Sequence, residues 1–175
     1  MVSDGVLSDS LVINLTVTPV NDAPEITQGN GPLSYTLNED SNLTFDLNAS
    51  DLEGDVLTWS IGSNPSNGTA TVDSTTGLVT YVPSADYEGN DTLTVTVSDA
   101  TLTDSVMVNL TINGVNDSPS SISSSDGLSF SENLSIGSAI GSFVAVDPDA
   151  GDSLNFSLYD DNQSTDNQFF SMDNN

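Results

Sequence analysis

Carboxylates are the chemistry-bearing groups of this chain. Its 175 residues include 26 Asp and Glu but no Lys, Arg or His, so the formal net charge is −26. No acid can be neutralised by a cationic side chain of the same chain; only cations from solution can do that. Several acids come as pairs in short turns: Asp51-Leu52-Glu53, Asp86-Tyr87-Glu88 and Asp147-Pro148-Asp149. Such turns supply two carboxylates to one side of an ion, and calcium collects hard oxygens from carboxylates, Asn side chains and backbone carbonyls. The segments Val20-Asn21-Asp22-Ala23-Pro24 and Val115-Asn116-Asp117-Ser118-Pro119 add oxygen donors beside a stiff proline. Taken singly, each acid has an ordinary alternative role, because Asp and Asn favour turns by hydrogen-bonding the local backbone. An acid excess also keeps a secreted protein soluble in salt.

The missing residue types remove much other chemistry. Without His, Cys or Lys there is no imidazole base, thiol nucleophile, Schiff-base amine or thiolate zinc site. Paired carboxylates alone can hydrolyse glycosides, but a sandwich of about 95 residues with one Trp offers little of the cleft and sugar-contacting aromatics that such a site needs. No enzyme is expected. Nucleic acid is an unsuitable partner because phosphate neutralisation needs Lys or Arg, and an anionic membrane surface is unsuitable for the same reason. No apolar run approaches the roughly 18 residues of a membrane span. Met1 leads straight into polar, acidic sequence, so an export signal is expected outside this segment.

The elements that must position the acids emerge from an internal repeat. Val2 to Pro24, VSDGVLSDSLVINLTVTPVNDAP, aligns without a gap on Val97 to Pro119, VSDATLTDSVMVNLTINGVNDSP, at an offset of 95 residues. That period is the size of one immunoglobulin-like sandwich. Residues 1–22 are expected to be the C-terminal strands of an upstream repeat, residues 23–117 a complete repeat, and residues 118–175 the opening of a third. In the third, Ser131-Glu132-Asn133 and Asp147-Pro148-Asp149 correspond to Asn38-Glu39-Asp40 and Asp51-Leu52-Glu53.

Within the complete repeat the apolar period is two, that of a half-buried strand. Leu43, Phe45, Leu47 and Ala49 point one way; Leu57, Trp59 and Ile61, then Leu93, Val95 and Val97, then Val106, Val108, Leu110 and Ile112 repeat the pattern. Further strands are predicted over 33–37, 69–73 and 78–82, with turns between them. About seven strands result, the number of a constant-type sandwich. The fold class is therefore all-β, a tandem Greek-key immunoglobulin-like β-sandwich with Trp59 as its core aromatic. Turns of such a sandwich gather at two poles, so acids distant in sequence can meet there.

These residues and linkers resemble the cadherin family, specifically the cadherin-like and immunoglobulin-like tandem repeats of large secreted bacterial adhesins of the RTX type. The resemblance implies Ca2+ held at inter-repeat junctions. By position it implies Glu39, Asp86, Glu88, Asn116, Asp117, Asp147 and Asp149 at one junction, and Asn21, Asp22, Asp51, Glu53 and Asp99 at the preceding one. Family linkers read D-x-N-D-N-x-P. The linkers here lack the leading Asp and the second Asn, which implies fewer or weaker ions. The resemblance further implies an extracellular, structural or adhesive segment whose partners are neighbouring repeats of the same polypeptide. The competing expectation is a calcium-dependent module for a cell-surface glycan or protein ligand.

Overall fold

The computed structural model describes residues 1–29, 31–124, 131–158 and 171–172, and its regular elements are all strands. A short hairpin, β1 (Val2–Ser3) with β2 (Ser8–Asp9), comes first. The central sandwich then runs through β3 (Glu25–Ile26), β4 (Leu33–Asn38), β5 (Leu43–Asp46), β6 (Ala49–Ser50), β7 (Thr58–Ser63), β8 (Gly68–Val72), β9 (Leu78–Pro83), β10 (Gly89–Ser98) and β11 (Thr103–Asn113). After it, β12 (Ser121–Ser124) pairs antiparallel with β13 (Phe143–Val146). The rest of the expected third repeat, residues 125–130, 159–170 and 173–175, lies outside the described residues.

One sheet of the sandwich has the order β4-β11-β10-β7 and the other β5-β9-β8, with β3 laddered to β6. All pairings are antiparallel except β4 with β11, which run parallel in the register Val108↔Leu33 to Asn113↔Asn38. The first long strand of the sandwich therefore ends beside the end of its last strand. That brings Glu39, just past β4, to the point where the chain leaves the domain.

Period-two alternation builds the core. Leu93, Val95 and Val97 from β10 meet Val106, Val108, Leu110 and Ile112 from β11, all at most 1% exposed. The facing sheet contributes Phe45, Val79 and Tyr81, with Leu47 and Trp59 packed in. Each such side chain contributes about 1.5–3 kcal/mol when fully buried. The turn into β9 requires glycine at Gly77: φ is +75°, and a Cβ there would lie 2.5 Å from the Leu47 carbonyl and 2.9 Å from the Trp59 ring. The all-β sandwich and the strands expected from alternation are thus present, with β3 and β6 as an additional short ladder.

Leu11–Val17 differs from its expected strand. It carries the same alternation as Val106–Ile112, yet it forms no strand, and Leu11, Val12, Ile13, Leu15 and Val17 are exposed. Its counterpart β11 is clasped between β4 and β10. Among the described residues no strand lies alongside Leu11–Val17, so its backbone groups stay with water.

With no cationic side chain to hand, buried acids are compensated by N–H and O–H groups. Asp91, 4% exposed, accepts from the backbone N–H of Ser66 (2.9 Å), Asn67 (2.8 Å) and Thr92 (2.9 Å) and from the Tyr81 hydroxyl (3.0 Å). Burial pushes the Asp91 carboxyl up, but these donors outweigh it and hold it below its ordinary value. The Tyr81 hydroxyl is pushed well up by its burial and by the Asp91 carboxylate. Asp104 fastens β3 by accepting from the Ile26 N–H at 2.9 Å.

Candidate metal centre

At the pole where β4 and β11 end and β10 begins, carboxylates converge from four stretches of sequence. Glu39 continues the pairing of β4 through its own N–H, which donates to the Asn113 carbonyl at 3.0 Å. Its side chain is turned inward, with the residue only 5% exposed. The Asp86-Tyr87-Glu88 turn enters β10 with Asp86 in the left-handed region at φ +56°, a conformation Asp tolerates better than most residues. Tyr87 braces the turn by donating to the Asn90 carbonyl at 2.8 Å. Asp117 arrives from the linker and Asp149 from the turn after β13.

Glu39, Asp86, Glu88, Asp117 and Asp149 line one cleft of about 260 Å³. One oxygen from each of Glu39, Asp86 and Asp117 lies within 4.8 Å of the other two. The Oδ2 atom of Asp117 is buried and has no hydrogen-bond partner. Burial, followed by the charges of Asp40, Asp86, Asp149 and Glu39, pushes the Asp117 carboxyl above its ordinary value. An orphaned, crowded carboxylate oxygen of this kind suits a hard divalent cation, which removes both the desolvation penalty and the like-charge repulsion.

Gly114 lies against the acids of the cleft. Gly114 stands where the leading Asp would be, and a Cβ there would lie 3.1 Å from Glu88 Oε2 and 3.7 Å from Glu39 Oε1. A side chain at this position would press on the Glu88 carboxylate and touch that of Glu39.

Of the remaining residues expected at this junction, Asp147 sits beside the cleft. Its Oδ1 accepts from the Asp149 N–H at 3.0 Å, and it clusters with Asp149 and Asp152. Asn116 is exposed and donates from Nδ2 to the Asp117 carbonyl at 3.0 Å, so its amide does not line the cleft. Two acids here were not singled out from sequence, Asp40 and Asp152. The signal for each was adjacency: Asp40 directly follows Glu39, and Asp152 falls three residues after Asp149.

The five residues expected at the preceding junction also come together. Asn21 Nδ2 donates to Asp99 Oδ2 at 2.8 Å, and the Asp22 N–H donates to Glu53 Oε2 at 3.1 Å. The Glu53 and Asp55 N–H groups in turn reach Asp51 Oδ1 at 3.0 Å, which leaves Asp51 Oδ2 buried without a partner. Asp99 Oδ1 accepts from Thr101 and Leu102 N–H; the Leu102 N–H, then Asn21 and Thr101, hold its carboxyl below the ordinary value. The β1–β2 hairpin repeats this turn: Asp4 Oδ1 accepts from Val6 and Leu7 N–H at 2.9 and 2.8 Å. Each junction thus carries one orphaned carboxylate oxygen among its acids.

Comparison with known proteins bears on the same region. A family model described as bacterial Ig domain matches residues 21–111. Among solved structures, protocadherin gamma B2 extracellular cadherin domains 1-5 is similar at 20% identity and a TM-score of 0.51, covering 73% of this chain and 26% of that one. Human protocadherin-24 is similar at 26% identity and a TM-score of 0.46, covering 73% of this chain and 61% of that one. An endo-fucoidan hydrolase of glycoside hydrolase family 107 is similar at 24% identity and a TM-score of 0.44, but this chain spans only 15% of its length. No curated protein matches. The sandwich is immunoglobulin-like and shares its fold with cadherin domains.

Proposed function

Because this chain belongs to the bacterial Ig domain family, we propose that it is a calcium-binding structural or adhesive segment of an extracellular surface protein, with repeats bounded near residues 23 and 117. Calcium, when bound, supplies the positive charge that no side chain of this polypeptide can. Glu39, Asp86 and Glu88 present carboxylates from the central sandwich, Asp117 from the linker, and Asp147 and Asp149 from the following segment. Asn21, Asp22, Asp51, Glu53 and Asp99 do the same one repeat earlier, together with an upstream neighbour. Ligands drawn from both sides of a linker tie two domains into one body, and a string of such bodies becomes a rod. The neighbours in the same polypeptide are the principal partners.

The observation that carries this reading is the buried, unpartnered Asp117 Oδ2 among the acids of the cleft. The experiment is isothermal titration of the chain with calcium and, separately, magnesium after chelator treatment. Saturable calcium uptake is expected with a Kd of about 10⁻⁴–10⁻³ M, the range of extracellular modules. The Glu39→Gln/Asp117→Asn variant should lose the heat associated with that cleft. Absence of uptake at millimolar calcium in the parent chain would end the proposal. X-ray scattering with and without chelator then tests stiffening: a distribution of end-to-end distances that does not narrow with calcium contradicts the mechanical part.

A further inference from the structure

We infer that the linker between the central sandwich and the following segment is already latched at both ends by hydrogen bonds from its backbone to carboxylates, so that flexing without metal is confined to Val115 and Asn116. The Val115 N–H donates to Glu39 Oε1 at 2.8 Å, which fixes the peptide unit between Gly114 and Val115 to the central sandwich. The Glu39 N–H reaches back to the Asn113 carbonyl at 3.0 Å, so the latch itself is anchored in the β4–β11 pairing. Two residues on, the Asp117 N–H donates to Asp149 Oδ2 at 2.6 Å, and the Ser120 N–H donates to the Val146 carbonyl at 2.8 Å. These bonds fix the peptide unit between Asn116 and Asp117 to the β12–β13 segment. What lies between them is the φ and ψ torsions of Val115 and Asn116, with the intervening Asn116 N–H held by no such bond among the described residues.

The downstream latch recurs in the preceding junction, which argues against an accident of one turn. There the Asp22 N–H, the counterpart of Asp117 at the 95-residue offset, donates to Glu53 Oε2 at 3.1 Å. In both places the third residue of an acid-x-acid turn captures the linker Asp amide. Hydrogen bonds to a charged acceptor are stronger than neutral ones, and a carboxylate offers about four lone-pair sites. Glu39 and Asp149 can therefore hold the backbone with one lone pair and still present oxygen to the cleft. Most of the linker's conformational entropy is then surrendered on folding, which lowers the ordering cost of any later event that closes the junction.

The test is amide exchange by NMR on the full chain in excess chelator, so its outcome is independent of whether the calcium reading holds. The Val115 and Asp117 amides should exchange about tenfold or more slowly than Asn116, as expected for hydrogen bonds to charged acceptors. Glu39→Ala should bring Val115 to the Asn116 rate and leave Asp117 protected, and Asp149→Ala should do the reverse. Unchanged protection of Val95 and Val108 in β10 and β11 reports an intact sandwich in either variant. Glu39→Gln, which keeps an acceptor oxygen, should retain slower exchange at Val115 than at Asn116 and covers the case in which the alanine variant fails to fold. Equal rates at all three amides in the parent chain, or release of both latches by either single substitution, would overturn the inference.

Discussion

Replacing Asp91 with alanine should cost this protein about 3 kcal/mol of stability, more than most core truncations of comparable size. The carboxylate is the shared acceptor for the N–H groups of Ser66 and Asn67 and for the Tyr81 hydroxyl, at 2.9, 2.8 and 3.0 Å. Alanine removes the acceptor of these donors and of the Thr92 N–H; the Tyr81 hydroxyl keeps the Asn67 carbonyl at 3.2 Å as a second acceptor, and each lost bond costs about 1 kcal/mol. Tyr81→Phe removes one of the three and should cost about 1 kcal/mol. Because the two residues share a bond, the double variant should lose less than the sum of the single losses. The assay is urea unfolding in chelator followed by fluorescence of Trp59, the single Trp, which is 5% exposed in the core. If Asp91→Ala loses no more than Tyr81→Phe at an unchanged denaturant slope, backbone amides are not what makes a buried charge tolerable here.

The same bonds set an acid limit. The folded-state carboxyls of Asp91 and Asp99 lie below their unfolded values, so their stabilisation is complete above the unfolded carboxylate range and is lost as pH falls through the folded values. Urea midpoints should therefore hold steady from about pH 7 to 5 and fall below about pH 4, and Asp91→Ala should flatten that fall. Asp117 has the opposite sign: its carboxyl is raised in the folded state, so its ionisation disfavours folding and the penalty is relieved as pH drops through the raised value. Asp117→Asn should accordingly raise the midpoint slightly at neutral pH in chelator. Gly77→Ala should cost about 1–3 kcal/mol and change the Trp59 emission, because left-handed strain adds to contact with the indole ring. Leu110→Ala, at a site 1% exposed, should cost about 2–5 kcal/mol by calorimetry or urea unfolding.

Much of the architecture was legible because its physics is local. Strands β4, β5 and β7 to β11 follow from period-two apolar patterning between turn residues, and Trp59 falls in phase with Leu57 and Ile61. Asp91 shows how an in-phase acid can be read: it continues the inward series of Leu93, Val95 and Val97, a position that demands donors from elsewhere. Leu11–Val17 has the same alternation without the pairing, since a strand needs a neighbour and the pattern specifies only a face. Of the residues expected at the second junction, Glu39, Asp86, Glu88, Asp117 and Asp149 line the cleft, while Asn116 and Asp147 do not. Asp40 and Asp152 stand close in sequence to Glu39 and Asp149, but only the fold puts Asp40 near enough to raise the Asp117 carboxyl and groups Asp152 with Asp147 and Asp149.

The sequence alone determined that no cationic side chain of this chain can compensate its acids, which leaves backbone amides, side-chain hydroxyls and amides, and dissolved cations. It also set the 95-residue offset between the two self-similar stretches and the inward faces of the strands in the central sandwich. Only the tertiary structure decided which acids meet, that Gly114 lies against Glu88 and Glu39, and which carboxylate oxygens are left without a donor. The reason is that a strand's face is a property of neighbouring residues. Convergence at a pole instead depends on the parallel pairing of β4 with β11, a contact between stretches more than seventy residues apart.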